Sequence, residues 1–205
     1  TDNALIDAEG EVVFSSTGMP EDIEAEIDAL LADVVEAPAT ERVRQSTGPP
    51  SFEGMPVATL LPDSPKGAEV GKPGPEFQWT VESTGQTFST ADLRGKPVWV
   101  VGFAEWCANC PQEVPIINAI HEEYGNEIHV IGVDWGDAPD VAASWVEEHG
   151  VEYPVLLDST EEIMMEGFGT TGVPYNALID AEGQVVFSST GMPEDIEAEI
   201  MGLLE

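Results

Sequence analysis

The chain has 205 residues, with 40 Asp and Glu against 6 Lys and Arg, for a formal net charge of −34. So few cations nearly exclude nucleic-acid binding through phosphate contacts and argue against docking on anionic lipid. At 42% hydrophobic, with 5 Trp and 7 Phe, the composition still supplies a core, so the charge is expected on the surface of a folded protein.

No apolar run approaches the roughly 18 residues of a membrane span, so no membrane insertion by this chain is expected, and no secretory signal is visible. The first residue is Thr1 rather than Met, which reads as a processed product or a piece of a longer chain whose anchor would lie elsewhere. The acids run through the whole chain, beside three lysines (Lys66, Lys72, Lys96). That balance resembles proteins of salt-loving organisms. At molar salt the screening length falls to about 3 Å and self-repulsion is damped, whereas low salt should destabilise the compact state. A halophilic source is therefore expected.

Residues Asn3–Leu31 and Asn176–Leu204 match at all but three of 29 positions. Each copy reads as a hairpin followed by a helix: an apolar strand (Ala-Leu-Ile-Asp), an Ala-Glu-Gly turn, a return strand (Val-Val-Phe), then Pro20 or Pro193 at the first helical position. Two copies do not make a periodic array, and a hairpin with one helix cannot stand alone. The first copy, 1–34, is expected to be either the remnant of an upstream domain or an element that competes with the second, giving a domain-swapped homo-oligomer. Residues 35–70, rich in Pro, Gly, Ser and Thr, read as a linker, with Met55–Leu61 touching down locally.

Residues 71–205 alternate strands and helices. Phe77–Val81 and Thr87–Ser89 form a hairpin, and Pro97–Ala104 is an apolar strand. Asn109–Tyr124 is a helix with Ile116, Ile117, Ile120 and Tyr124 inward, and Glu127–Asp134 is a buried strand. Val141–His149 is a helix closed by Gly150. Pro154–Asp158 is a strand and Thr160–Phe168 a short helix, and the second copy of the repeat completes the domain. Strand–helix–strand connections imply right-handed parallel crossovers and the final hairpin adds antiparallel strands. The expected class is α/β, with a mixed central sheet flanked by helices.

The two cysteines, Cys107 and Cys110, stand in Phe103-Ala104-Glu105-Trp106-Cys107-Ala108-Asn109-Cys110. They follow a buried strand and open a helix, the setting of a redox dithiol. Cys107 at the exposed helix start would be stabilised as a thiolate by the helix end and would attack a substrate disulfide; Cys110, one turn inward, would resolve the mixed disulfide. The segment carries one acid, Glu105, and no base, so helix-end polarity must do most of that stabilisation. A lone Cys-x-x-Cys is a poor zinc site, and His121, His129 and His149 have no ligand spacing to it, so no metal and no cofactor are expected. A purely structural disulfide is the remaining alternative.

Several further motifs are collinear with this one: Val70-Gly71-Lys72-Pro73-Gly74-Pro75-Glu76-Phe77, Asp92-Leu93-Arg94-Gly95-Lys96-Pro97-Val98, Trp106-Cys107-x-x-Cys110-x-x-Glu113-x-Pro115, Gly172-Val173-Pro174 and Leu178-Ile179-Asp180-x-x-Gly183. Together they resemble the TlpA/ResA-like thioredoxin-fold thiol–disulfide oxidoreductases. The resemblance implies a thioredoxin-like fold and a cis Val173–Pro174 peptide facing the sulfurs, with the Val173 backbone offered for strand-like pairing with a substrate chain. It also implies a role for Glu113 in tuning the thiols, for which a partly buried carboxylate that exchanges a proton with Cys110 is suited. Trp106 is expected to pack beside Cys107 and shape the docking surface, and Pro115 to kink the helix. The chain departs from the family pattern at Ala108-Asn109, which lacks the usual second-place Pro, at Gly102-Phe103 in place of Phe-Trp, and at Tyr175-Asn176 in place of a Thr-rich pair.

The function implied is disulfide exchange with protein substrates, in the reducing direction, in an extracytoplasmic setting and with a redox partner protein. A cytoplasmic setting is the other compartment open to a chain with one cysteine pair. The alternative function is a non-catalytic interaction module that uses the duplicated segment for docking or swapping.

Overall fold

The computed structural model describes residues 2–6, 12–17 and 50–204. The chain divides into two compact units, Thr1–Arg44 and Gln45–Glu205. In the first, β1 (Asp2–Ile6) pairs antiparallel with β2 (Val12–Thr17), the hairpin expected of the first repeat copy. The helix expected after it lies outside the described residues.

The second unit is built on five strands. In chain order these are β6 (Val98–Phe103), β7 (His129–Trp135), β8 (Val155–Asp158), β9 (Tyr175–Ile179) and β10 (Val185–Thr190), preceded by β3 (Ala58–Leu60), β4 (Phe77–Val81) and β5 (Gln86–Ser89). The main sheet runs β10-β9-β6-β7-β8. β6, β7 and β8 are parallel, and β9 and β10 join antiparallel. β6 is buried at every position and β7 at all but its first residue, as strands covered on both faces must be. The crossover helices are α1 (Cys110–Tyr124) and α2 (Pro139–His149), and α3 (Ile196–Leu204) closes the unit. Gly150 ends α2 in the left-handed region at φ 66°, a conformation glycine adopts without strain.

A second, antiparallel sheet has the order β3-β4-β5. Its first strand falls within 35–70, the stretch read as linker. Leu157 N–H donates to Pro56 O at 3.0 Å, and Phe52 stacks on Trp79 with centroids 4.9 Å apart. Residues from about 50 onward are therefore packed against the domain, and Met55–Leu61 makes the contact expected of it.

Three local expectations are corrected. Ile116 is 47% exposed; the stripe that α1 buries is Cys110, Val114, Ile117 and Ile120, spaced four and three apart, and Ile116 stands off it. Pro193 is not the first helical residue. Asp195 accepts from Ala198 N–H at 3.1 Å and so caps a helix that starts at Ile196, satisfying a donor the helix leaves free. The stretch from Thr160 to Phe168 is not an ordinary short helix but a π-turn over Ile163–Gly167, in which Asp158 accepts from Met164 N–H at 2.9 Å.

Candidate functional site

β6 ends at Phe103 and the chain turns through Ala104–Asn109 into α1. Asp137, after β7, accepts from Glu105 N–H at 2.6 Å, which ties the turn to the neighbouring strand. Cys107 and Cys110 are joined as a disulfide with Cα atoms 5.5 Å apart. The Cys110 N–H, at the start of α1, donates to Cys107 Sγ at 3.1 Å. This is the helix-end polarity expected from the sequence: an N–H of the first turn, shared with the Cys107 carbonyl at 3.3 Å, is directed at the sulfur that must carry negative charge. Among the described hydrogen bonds and ion pairs, no Lys or Arg reaches Cys107, Cys110 or Glu113.

Exposure differs from expectation. Cys107 keeps 5% of its surface and Cys110 3%, so neither sulfur is broadly open. Cys107 instead lines a groove of about 480 Å³ between the turn and α2. Its floor includes Trp145, against which Phe103 stacks at 4.4 Å, and its walls carry Glu105, Asp140 and Glu148. Trp106 is 60% exposed and meets Trp135 edge-on at 6.0 Å. It thus stands on the surface beside the disulfide.

The Val173–Pro174 peptide is cis. Pro174 is buried and its carbonyl accepts from Gly191 N–H at 2.7 Å. Val173, half-buried, packs against the apolar cluster that contains both cysteines. Val173 packs against the other core cluster as well, so it stands between the two layers of the core.

Glu113 lies one turn beyond Cys110 and is half-buried. Its Oε2 accepts from Asn176 Nδ2 at 3.2 Å and its Oε1 from Met192 N–H at 3.0 Å. Burial pushes its carboxyl above the ordinary value, and the two hydrogen bonds hold it partly down. Asn176 is fully buried, and its Oδ1 accepts from Trp99 Nε1 at 2.9 Å. Pro115 stands inside α1 on its exposed side.

Two of the departures from the family pattern, Gly102 and Tyr175, meet in the sheet. A Cβ at Gly102 would stand 2.2 Å from Met164 Cε and 3.2 Å from Tyr175 Cβ, and Gly102 pairs with Tyr175 across β6 and β9. A larger side chain at 102 would have to displace the end of Met164 and would crowd Tyr175.

Two features have no place in the sequence-based expectations. Asn176 stands out there as a departure from the family pattern but not as a partner of Glu113; its signal is a polar residue inside the apolar strand Tyr-Asn-Ala-Leu-Ile. Asp134 is fully buried at the end of β7 and is pushed up to about 8, by burial first and then by Asp137 and Asp158. Its signal is an acid inside the apolar run of β7, masked by 40 acids in the chain.

Residues 70–188 match the model of the AhpC/TSA family. The thiol–disulfide oxidoreductase ResA of Bacillus thuringiensis (strain Al Hakam) is 31% identical over 142 residues, which cover 67% of this chain and 78% of that protein. The thiol:disulfide interchange protein DsbE of Pseudomonas fluorescens biotype C is 28% identical over 127 residues, covering 62% and 70%. Among solved structures, a thioredoxin-family thiol:disulfide interchange protein of Chlorobium tepidum superposes with a TM-score of 0.55 at 26% identity, covering 67% of this chain and 99% of that one. The thioredoxin domain of a Bacteroides vulgatus thiol–disulfide oxidoreductase shares the fold, with a TM-score of 0.59 at 19% identity and coverage of 67% and 99%. The mixed sheet with its flanking helices is thus a thioredoxin-like fold.

Proposed function

The chain belongs to the AhpC/TSA family, and we propose that within it Cys107 and Cys110 act as a reductant of protein disulfides. Thiol–disulfide exchange itself is the activity of this chain: its relatives are named thiol–disulfide oxidoreductases and it carries their cysteine pair. The observation that carries the exchange chemistry, with Cys107 as the attacking sulfur, is the Cys110 N–H directed at Cys107 Sγ from the start of α1; the reducing direction is carried by the TlpA/ResA resemblance, since a stabilised thiolate by itself favours the reduced form.

In the reduced protein the Cys107 thiolate attacks one sulfur of a substrate disulfide. A mixed disulfide forms and the other substrate sulfur leaves as a thiolate. Cys110 then attacks the Cys107 sulfur, the mixed disulfide breaks, and the second substrate thiol is released. Two electrons have passed to the substrate, and the protein is left with the Cys107–Cys110 bond. A redox partner protein must return two electrons for the next turnover. Glu113, one turn from Cys110, takes the proton that Cys110 gives up, a task that suits a carboxyl raised by burial. Trp106, Val173 and Pro174 frame the substrate chain, and the acid-walled groove beside Cys107 favours substrates with cations near the disulfide.

The same resemblance supports work outside the cytoplasm; among the described residues no helix is long and apolar enough to cross a membrane. The charge of −34 supports a surface adapted to high salt, and the near-identity of the two repeat copies supports exchange of that segment between chains. A binding module without catalysis is the weaker reading, since it would leave the dithiol without a task.

Direction is tested by the midpoint potential of the Cys107/Cys110 couple, measured by equilibration with a thiol–disulfide buffer in molar KCl. A reductant is expected to lie at or below the low end of a glutathione poise of about −220 to −260 mV, near the roughly −270 mV of thioredoxin. A value near −120 mV would make the protein an oxidant.

A further inference from the structure

We propose that Asn176 is a positioning residue: its carboxamide, locked by the buried Trp99 indole, fixes the Glu113 carboxyl beside the active-site helix and sets the pH range in which that carboxyl can accept a proton. The inference rests on the reading of Glu113 as the proton acceptor and adds the group that controls it.

The chemistry begins at Trp99. An indole Nε1–H can only donate, and Trp99 is fully buried in β6. Its partner, 2.9 Å away, must therefore be the oxygen of the Asn176 carboxamide. That fixes which end of the amide is which. The Nδ2 end can face one way only, toward Glu113 Oε2 at 3.2 Å. Glu113 thus meets an obligatory donor on one oxygen and the Met192 N–H on the other at 3.0 Å.

Both donors prefer the carboxylate to the acid, because each hydrogen bond is stronger to an ionised acceptor. They oppose the burial that favours the protonated form. Among the described residues, the cysteines stand at the start of the helix that carries Glu113, and Tyr153, ahead of β8, feels its charge. Burial and the charge of Glu113 hold the Tyr153 phenol above its ordinary range, so it stays neutral and does not offset the carboxylate. The balance between burial and two fixed donors is what leaves Glu113 able to lose and regain a proton. Asn176 and Met192 both fall in the segment the chain carries twice, and Asn3 and Met19 stand at the matching positions of the first copy.

The test uses the full chain in molar KCl. The Glu113 carboxyl is followed by carbon-13 NMR, with its signal assigned by its loss in Glu113→Gln, and disulfide exchange is measured against pH. In Asn176→Ala the Glu113 midpoint should rise by about one pH unit, the scale of one hydrogen bond to a charged group. The exchange rate should fall about tenfold on the acid limb and match wild type on the alkaline plateau. Trp99→Phe keeps Asn176 but frees its amide to turn, and should move the midpoint the same way by less. An unmoved midpoint in Asn176→Ala, or a loss of rate uniform across pH, overturns the proposal. Should Asn176→Ala fail to fold, an unmoved midpoint in Trp99→Phe overturns it equally. If Glu113→Gln has the pH profile of wild type, the proton-acceptor reading fails, while the NMR midpoint still decides whether Asn176 controls the carboxyl.

Discussion

Replacing Cys110 by Ser is expected to trap the protein on its substrate, whereas replacing Cys107 by Ser reduces turnover to the uncatalysed background and traps nothing. The asymmetry follows from position. Cys107 lines the groove and receives the helix-end N–H, so it is the sulfur that can be both reached and charged. Cys110 keeps 3% of its surface and lies in the buried stripe of α1, so it meets Cys107 and not the substrate. Without Cys110 the first attack proceeds but nothing resolves it. Mass spectrometry under non-reducing conditions, with a disulfide-bonded protein as substrate, should find the Cys110→Ser variant as a covalent adduct that dithiothreitol releases. Serine is close in volume to cysteine, so neither change should unfold the domain. Adducts on Cys107→Ser instead would reverse the two roles.

Replacing Asp134 by Asn is expected to make the fold more stable than wild type, by an amount that grows with pH. Asp134 is pushed up to about 8 in the folded chain, by burial first and then by the nearby charges of Asp137 and Asp158. In the unfolded chain an aspartate loses its proton near pH 4. The folded state therefore holds a proton that the unfolded state releases. The stability this contributes is whole below about pH 4 and is lost as pH rises toward 8. Asparagine does not titrate, and its oxygen can still accept the Asp137 N–H that Asp134 accepts at 3.2 Å. Urea unfolding in molar KCl should show the two proteins close together at pH 4. By pH 8 they should differ by a few kcal/mol, as expected when the unfolded chain gives up this proton far more readily than the folded one. Asp158 is raised as well, by burial first; its own share is common to both proteins, and the measured difference reports Asp134 together with its repulsion of Asp158. A difference that does not change with pH would mean that Asp134 ionises freely where it is.

Much of this is legible in the sequence, for physical reasons that also explain the failures. β6, β7 and β8 are readable because a strand covered on both faces must be apolar nearly throughout, and short runs such as Val-Leu-Leu-Asp have few other uses. The dithiol is readable because its chemistry lies within four consecutive residues at a strand-to-helix turn. What escapes depends on contacts distant in sequence. Trp99 and Asn176 are 77 positions apart and Asn176 and Glu113 are 63 apart; no local pattern links them. Ile116 is misplaced because four apolar residues in α1 suggest one face, while the true stripe is set by the Cys110–Val114–Ile117–Ile120 spacing. Pro193 misleads because it suits a helix start by conformation, whereas the Asp195 carboxylate satisfies a free N–H and fixes the start three residues later. Asp134 is hidden by the charge itself: in a chain with 40 acids, one of them at the end of a strand draws no notice, although it is fully buried and its charge is costly there.

The central claim, that Cys107 and Cys110 transfer electrons to protein disulfides, is tested most directly by reduction of insulin disulfides with dithiothreitol as electron source in several molar KCl. The account predicts that the wild-type chain accelerates the reaction well above dithiothreitol alone and that Cys107→Ser does not. A folded wild-type chain that adds nothing to the dithiothreitol rate would contradict it.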